Sequence, residues 1–307
     1  MTQHILSLSY GKDSLACLGA IKILGWPLDR IVHAEVWATD TIPADLPPMV
    51  EFKRKADEII KRRFGIEVEH IYAMDKNGNK QTYEKIFYRT PTRKPGGTFK
   101  EGSNAGFPYT KGAWCNDRLK TNPLDSVKHT PSPPNAGYTA SQCGKETGVT
   151  PTLKWRRCEK FSNSPVSQGA DINTVVQYVG IAADEPVRLE RLDGITKISP
   201  LAAIGWTEAD ARQWCEDNDL LSPIYTTATR GGCWFCHNQG IDQLRQLRKN
   251  YPDLWALLMK WDLDSPVSFH SDGRTVHDFD RRFQFEDKGL VPTDRRFRWK
   301  MIEEGGT

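Results

Sequence analysis

A short segment near the start of the chain combines residue types that bind phosphate. It contains, in order, Ser9, Tyr10, Gly11, Lys12, Asp13 and Ser14. The serines offer hydroxyl donors, and the lysine offers a full positive charge. If a helix begins here, its first amides have no partner within the helix and point into the turn with the positive end of the helix dipole. The segment therefore predicts an anion-binding turn; the plain alternative is an ordinary strand-to-helix turn with a solvated lysine.

Cysteine spacing indicates a second chemical site. The chain has seven cysteines, and two of them, Cys233 and Cys236, are separated by two residues in a glycine-rich stretch. Such a pair can place both sulfurs on one metal. A redox pair is the other use of this spacing, although no thioredoxin-like strand and helix precede it. Thiols that are simply buried are the plain alternative.

The segments around the turn predict a parallel sheet. Residues 5–8 form a short apolar run, and apolar residues recur every three or four positions after the turn, which indicates a strand followed by a helix. Residues 30–38 and 67–72 read as further strands, with an amphipathic helix at 49–64 between them. Strands that alternate with helices are typical of a parallel sheet, whose ligands lie beyond the carboxyl ends of the strands. Two polar residues follow the second strand and are expected at the same edge, Asp40 and Thr41.

Composition limits the class of protein. The chain has 307 residues, enough for one large or two modest domains, and a formal net charge of +3 at pH 7, which neither requires nor excludes a nucleic acid. No apolar run approaches the roughly 20 residues that span a bilayer, and the start of the chain has no signal-peptide pattern. We therefore expect a cytoplasmic protein without membrane contact. The odd cysteine count argues against a secreted disulfide framework.

The turn at residues 9–14 resembles the PP-loop, Ser-Gly-Gly-Lys-Asp-Ser, of the ATP pyrophosphatases and of the adenylyl-sulfate and phosphoadenylyl-sulfate (PAPS) reductases. It departs at Tyr10, where the usual pattern has Gly, and a side chain there either narrows the approach of phosphate to the backbone or covers the nucleotide. It is not a Walker A loop. The resemblance implies that ATP or a related adenine nucleotide, with Mg²⁺, binds at these six residues and at Asp40 and Thr41.

The resemblance to this superfamily continues in register to about residue 240. Residues 111–124 are similar to a Cys-Cys-x-x-Arg-Lys-x-x-Pro-Leu segment, and residues 180–188 to a Gly-x-x-x-x-Glu-x-x-Arg element whose Arg faces the anionic part of the substrate. The resemblance implies that four residues contact a substrate anion, namely Arg118, Lys120, Glu185 and Arg188. It gives Lys12, Asp13 and Arg188 as catalytic residues. A solvated basic face and a surface salt-bridge cluster are the plain alternatives for the two segments.

By the same resemblance, a four-iron cluster is bound by cysteines. Cys115 corresponds to the first cysteine of the Cys-Cys pair, and Asn116 stands where the second would be, so Cys115, Cys233 and Cys236 supply three ligands. Cys158 is the favoured fourth ligand because basic neighbours stabilise a thiolate, and Cys143 is the alternative. Zn²⁺ on four cysteines is the rival, which the spacing does not separate from a 4Fe-4S cluster.

The last part of the chain does not fit a simple reductase. The reductases have a nucleophilic cysteine in a C-terminal tail, whereas no cysteine follows Cys236 here. We therefore expect a PP-loop enzyme that cleaves the nucleotide to AMP and pyrophosphate in order to activate an acceptor. Sulfur transfer to the activated acceptor is the favoured version of this reaction. The alternatives are a sulfonucleotide reductase that uses another thiol, such as Cys143, or a partner, and a nucleotide sensor without catalysis. A nucleic acid or a partner protein is the expected acceptor.

These observations give a domain plan. We expect an α/β domain over residues 1–240, with a parallel twisted sheet and helices on both faces, of the kind the resemblance identifies as adenine nucleotide alpha hydrolase-like. An insertion is expected at about 128–173, and a helical, basic-aromatic region at 241–307, beginning with an amphipathic helix at 242–261. The basic aromatic stretch 295–300 could contact a phosphate backbone and stack on bases, or form a solvated end. The oligomeric state is left open, with a homodimer as one option.

Overall fold

The computed structural model describes residues 2–91, 103–108, 113–127, 175–226 and 231–304. The whole of the predicted insertion at about 128–173, including Cys143 and Cys158, lies outside these residues. Among the described residues, none of the helices is both long enough and apolar enough to cross a membrane.

Five parallel strands form one sheet, so the predicted α/β class is confirmed. In chain order the strands are β1 (Gln3–Ser7), β2 (Arg30–Glu35), β3 (Val68–Tyr72), β4 (Val175–Tyr178) and β5 (Lys197–Ile198). Their order across the sheet is β3-β2-β1-β4-β5. The direction of chain progression reverses between β1 and β4, and such a switch point is where ligands bind in open parallel sheets.

Helices follow the strands and continue to the end of the described chain. The helices that precede β4 are α1 (Lys12–Leu24), α2 (Pro47–Phe64), α3 (Tyr83–Phe87), α4 (Trp114–Asn116) and α5 (Asn122–Val127). A π-helical turn, Asp117–Thr121, joins α4 to α5. After β4 come α6 (Pro186–Leu189), α7 (Pro200–Ile204), α8 (Glu208–Asp217), a 3₁₀ helix (Pro223–Thr226), α9 (Ile241–Asn250), α10 (Pro252–Asp264), α11 (Val276–Asp287) and α12 (Lys300–Glu304).

Side chains of β1 alternate between two apolar layers, as its period of two requires. Leu6 lies in a core with residues of α1, α2 and α8. Ile5 lies in a second layer with Val127 of α5. Helices therefore cover both faces of the sheet. On the first face α1 and α8 are in close contact, because a Cβ at Gly19 would lie only 2.4 Å from the indole of Trp214.

The C-terminal helices pack directly onto the earlier part of the chain. One apolar cluster contains Tyr83 and Phe87 of α3 together with Trp234, Trp261 and Phe283. The rings of Trp234 and Trp261 are stacked with centroids 5.6 Å apart. Residues on both sides of the predicted boundary at residue 240 thus belong to one shared core.

The helix predicted over 242–261 is two helices, α9 and α10. Tyr251 separates them and Pro252 begins α10, because proline has no amide proton for the helical hydrogen bond and disfavours helical geometry in the residue before it. The amide of Tyr251 still closes α9 on the carbonyl of Leu247, at 2.9 Å.

Candidate functional site

A cavity of about 260 Å³ opens beyond the carboxyl ends of β1 and β2. Its wall includes Ser9 and Gly11 of the predicted anion-binding turn at one end and Cys233 at the other, with Lys53 and Lys120 also in the lining. The volume is close to the lower bound, roughly 300 Å³, of typical small-molecule sites. The fold therefore brings the two chemical segments of the sequence to one cavity.

Hydrogen bonds among its own polar groups shape the turn after β1. The amide of Ser9 donates to Ser14 Oγ at 3.1 Å, and Ser14 Oγ donates to the carbonyl of Gly11 at 3.0 Å. The hydroxyl oxygens of Ser9 and Ser14 are 3.0 Å apart. Gly11 is the N-cap of α1 and has no side chain to cap the helix. Gly11 therefore leaves the start of α1 without a cap of its own, and the amide of Lys12, the first residue of the helix, donates instead to the hydroxyl of Tyr225 at 3.0 Å.

Tyr10 is turned beneath the loop, away from the position expected of a nucleotide cover. Its φ is +56°, a left-handed conformation, and its side chain is fully buried. The phenol donates a hydrogen bond to Asp57 of α2 and lies 3.2 Å from Nε2 of His70 in β3. The ring also meets the edge of His33, with centroids 4.8 Å apart. Tyr10 thus anchors the turn to the elements below it, and the expectation that its side chain covers a nucleotide is not met.

His33 and Lys53 form a polar pair in the wall of the cavity. Nδ1 of His33 lies 2.8 Å from the carbonyl oxygen of Leu8, which can only accept, so Nδ1 carries the proton. Nε2 then accepts a hydrogen bond from Lys53 Nζ at 2.8 Å, and Lys53 also donates to Asp45 at 2.5 Å. Burial and the neighbouring ammonium hold the pKa of His33 well below its usual range. The imidazole is therefore neutral and fixes the position of a buried cation.

His70 joins Tyr10 to two carboxylates. Its Nδ1 lies 2.9 Å from Glu35 and its Nε2 lies 2.9 Å from Asp57. Hydrogen bonds that His70 donates to these carboxylates, the one to Asp57 first, raise the pKa of His70 to about 9. The residue is therefore an imidazolium at neutral pH, and it holds Asp57 in place for the hydroxyl of Tyr10.

Lys12 and Asp13 lie together outside the cavity lining. The ammonium of Lys12 is 2.7 Å from Asp13 and 3.5 Å from Glu208. The carboxylates of Asp13, Glu185 and Glu208 lie within 4.8 Å of one another, and Arg188 donates to Glu185 at 2.5 Å. Burial raises the pKa of Asp13, and Lys12 works in the opposite direction. Three predicted catalytic residues, Lys12, Asp13 and Arg188, thus belong to one network of ion pairs, and none of them lines the cavity.

The three described cysteines of the predicted metal site are close enough to affect one another's ionisation. Burial raises the pKa of Cys233 to about 12 and that of Cys115 to about 11, and the ammonium of Lys120 lowers both. Cys233 has the largest effect on the pKa of Lys120 and raises it. Burial acts in the opposite sense, and Cys115 and Cys236 raise the pKa further. Lys120, on the π-helical turn that follows Cys115, is therefore a cation that interacts electrostatically with all three cysteines.

Two observations bear on whether a metal group fits these cysteines. The hydroxyl of Tyr83 is buried without a hydrogen-bond partner among the described residues, and the three thiols affect its pKa, which burial raises well above its usual range. A buried hydroxyl without an acceptor is costly, so a metal-bound sulfur would satisfy it. The three sulfurs are also not all within 4.8 Å of one another, whereas one tetrahedral zinc, with bonds of about 2.3 Å, holds sulfurs roughly 3.8 Å apart.

Several predicted site residues lie away from this cavity. Asp40 is exposed and pairs with Lys85 at 2.6 Å, and Thr41 is exposed in the following turn. Arg118 is exposed on the π-helical turn and lines a separate groove with Tyr72 at the end of β3. The structure does not bring these three residues to the turn at 9–14, so their predicted roles receive no support from the geometry.

The basic aromatic stretch near the C-terminus uses its rings inside the fold. Phe297 is 8 % exposed, with the guanidinium of Arg282 only 3.7 Å from its ring centroid. Trp299 packs on Phe297 with centroids 5.1 Å apart, and Arg274 lies 4.3 Å from the Trp299 ring. The expectation that this stretch stacks on bases is therefore not met for Phe297, whose faces are already covered.

Sequence reasoning missed three residues that line the cavity: His33, Lys53 and Tyr225. Two of them had a signal. His33 is a polar residue within the apolar strand β2, and Lys53 falls on the apolar stripe of α2, at helical spacing from Met49, Ala56 and Ile60. Tyr225 stands in a Ser-Pro-x-Tyr segment that resembles one in the same superfamily, but its contact with the turn could not be predicted, because it joins residues more than 200 positions apart.

Comparisons with known proteins do not extend this assignment. No family model, curated protein or solved structure matches the chain. The functional argument therefore rests on the geometry of the cavity and on the chemistry of the residues that line it.

Proposed function

We propose that the chain binds ATP or a related adenine nucleotide with its phosphates on the turn at residues 9–14, and cleaves it to AMP and pyrophosphate to activate an acceptor. The fold would then be the adenine nucleotide alpha hydrolase-like variant of the α/β class. One observation carries the proposal: a single cavity joins the turn before α1 to Cys233, and Lys53 and Lys120 line it. Amides at a helix start and two ammonium groups form a suitable environment for a polyanion.

The reaction would proceed through an adenylated acceptor. An acceptor oxygen forms a bond to the α-phosphorus, the bond from that phosphorus to the pyrophosphate oxygen breaks, and pyrophosphate leaves with the electron pair. A nucleophile then displaces AMP from the acceptor. Mg²⁺ bound with the nucleotide would neutralise part of the triphosphate charge.

The residues of the chain would act chiefly by fixed electrostatics. Amides of α1 and the ammonium of Lys53 would stabilise charge that develops on the leaving pyrophosphate. Lys53 is suited to this role because His33 and Asp45 hold it in place, so little reorganisation is needed during the reaction. Lys12 would contribute from the opposite side of the turn.

The cysteine site supports sulfur transfer as the use of the activated acceptor. Cys115, Cys233 and Cys236 would hold a 4Fe-4S cluster together with Cys158 or Cys143, and the bound cluster would supply sulfide chemistry. The unpartnered hydroxyl of Tyr83 is compatible with a sulfur held by either group, and the sulfurs, which are not all within 4.8 Å of one another, are the reason to place the cluster ahead of a single Zn²⁺. A nucleic acid or a partner protein is the proposed acceptor.

The test measures products and metal on protein purified without oxygen. We expect about four irons and four sulfides per chain and pyrophosphate release from ATP in the presence of acceptor. Sulfite release from a sulfonucleotide with a dithiol donor would instead establish the reductase alternative. Tight nucleotide binding without any product would establish the sensor.

A matched pair of variants on α2 tests the role of the cavity lysine. Lys53→Ala removes the buried cation, and we expect nucleotide affinity to fall roughly tenfold or more, the size of a lost charged hydrogen bond. Lys55→Ala is the control, because Lys55 is exposed and its ion-pair partner among the described residues is Glu51, one helical turn away. Equal affinities for the two variants would contradict the proposed site.

A further inference from the structure

The first amide of α1 already has an acceptor within the chain. Its donor is the backbone nitrogen of Lys12, and the acceptor is the hydroxyl oxygen of Tyr225, 3.0 Å away. Tyr225 belongs to the 3₁₀ helix, far along the chain from the turn. Under the proposed function, on which this inference rests, the same amide would face a phosphate oxygen.

The hydroxyl of Tyr225 lies directly over the turn. A Cβ placed on Gly11 would be 3.4 Å from this hydroxyl and 3.4 Å from Ser9 Oγ. Two side-chain oxygens therefore flank Gly11 at the mouth of the turn, and Tyr225, Ser9 and Gly11 all line the cavity. An oxygen atom at hydrogen-bond distance from a helix-start amide occupies the position that an anion takes in such sites.

The phenol belongs to a short element at the edge of the cavity. Thr226, the next residue, is exposed, and the 3₁₀ helix has only four residues. Burial raises the pKa of Tyr225, so its hydroxyl is neutral near pH 7. A phosphate oxygen carries negative charge and accepts a stronger hydrogen bond from an amide than a neutral hydroxyl does.

We propose that the hydroxyl of Tyr225 is a substitute for a phosphate oxygen, which the pyrophosphate part of a nucleotide displaces from the amide of Lys12. Tyr225 is then a specificity residue. To replace the hydrogen bond between the Lys12 amide and the Tyr225 hydroxyl, a ligand must carry an anionic group that reaches the start of α1. A nucleoside without phosphate cannot do so, and the site therefore selects for the phosphate chain.

Calorimetric titration with inorganic pyrophosphate tests this inference on the full chain. The variant Tyr225→Phe keeps the ring and removes the competing oxygen, and we expect it to bind pyrophosphate roughly 3- to 10-fold more tightly than the wild type. Its affinity for adenosine should not change. Tyr72→Phe is the control, because Tyr72 lies in the edge strand β3, 40 % exposed and outside this cavity lining.

Each outcome decides one question. Weaker or equal pyrophosphate binding by Tyr225→Phe would overturn displacement, and weaker binding would show that the hydroxyl contacts the bound phosphate. If neither protein binds pyrophosphate, the phosphate assignment of the turn fails as well. Binding by the variant alone would support displacement.

Amide hydrogen exchange gives a second, independent measurement. The amide of Lys12 should exchange faster in ligand-free Tyr225→Phe than in the wild type, and pyrophosphate should restore its protection. Unchanged exchange in the ligand-free variant would overturn the inference even if affinities differ.

Discussion

Tyr10 offers the sharpest test of how the turn is held, because two opposing effects meet at one residue. Its φ of +56° favours glycine, which is the residue that PP-loops have at this position. Its side chain, however, is fully buried and bonded to Asp57. Replacing Tyr10 therefore shows whether the backbone or the buried anchor dominates.

The expected magnitudes follow from these contacts. Tyr10→Gly keeps the left-handed conformation but removes its steric cost, which is about 1 to 2 kcal/mol for a non-glycine residue. It also empties a buried aromatic site, which costs about 3 to 5 kcal/mol. The net change is a loss of about 1 to 4 kcal/mol in the free energy of unfolding. Tyr10→Phe keeps the ring and loses one hydroxyl, and since Asp57 and His70 still pair at 2.9 Å, we expect a loss of about 1 kcal/mol.

Urea unfolding followed by tryptophan fluorescence gives the free energies, and pyrophosphate titration reports the geometry of the turn. Asp219 provides the control, because it is the other non-glycine residue with positive φ in the described chain, at +58°, and is exposed. Asp219→Gly relieves the same conformation without emptying a core site, so it should stabilise the fold by up to about 1 kcal/mol. If Tyr10→Gly proved as stable as the wild type, the anchoring role of Tyr10 would be refuted.

Three further predictions concern His70, Gly180 and Cys233. The pKa of His70 is raised from 6.5 to about 9 in the folded protein. Protonated His70 therefore stabilises the fold relative to His70→Gln fully below pH 6.5, by at most on the order of 3 kcal/mol, and this difference is lost as pH rises through 9. Urea unfolding from pH 6 to 10 should show the two free energies of unfolding becoming equal. Gly180→Ala should destabilise the fold by about 1 to 3 kcal/mol and weaken pyrophosphate binding, because its Cβ would lie 2.5 Å from the backbone nitrogen of Ser14; unchanged unfolding would contradict this packing. Cys233→Ser should lose most iron or zinc, measured by metal analysis, and full retention would exclude Cys233 as a ligand.

The sheet was predictable from sequence, but the arrangement of the site was only partly so. Apolar runs alternating with amphipathic helices identify β1, β2 and β3, because hydrophobic period is a local property. The position of β4 beside β1 depends on pairing between segments more than 160 residues apart, and local patterns carry no information on it. The orientation of Tyr10 was equally hidden, since its partners lie on α2 and β3. The break between α9 and α10 was visible as Pro252 within the apolar pattern.

The two lysines nearest the turn differ in how their charges are used, and the difference follows from local electrostatics. Lys12 is adjacent in sequence to Asp13 and lies 3.5 Å from Glu208, so its charge is compensated on the outer side of α1. Lys53 lies within the cavity wall, where its partners are one carboxylate and a neutral imidazole. A cation with a neutral partner retains more of its field for a ligand than one between two carboxylates. We therefore expect Lys53 to contribute more than Lys12 to the first contact with phosphate. Lys12 would contribute later, when a cation that accompanies the nucleotide binds Asp13 and Glu208 and so frees the lysine. In the absence of Mg²⁺, pyrophosphate affinity should accordingly fall more in Lys53→Ala than in Lys12→Ala. The reverse order would show that Lys12 contacts phosphate without a cation to bind Asp13 and Glu208.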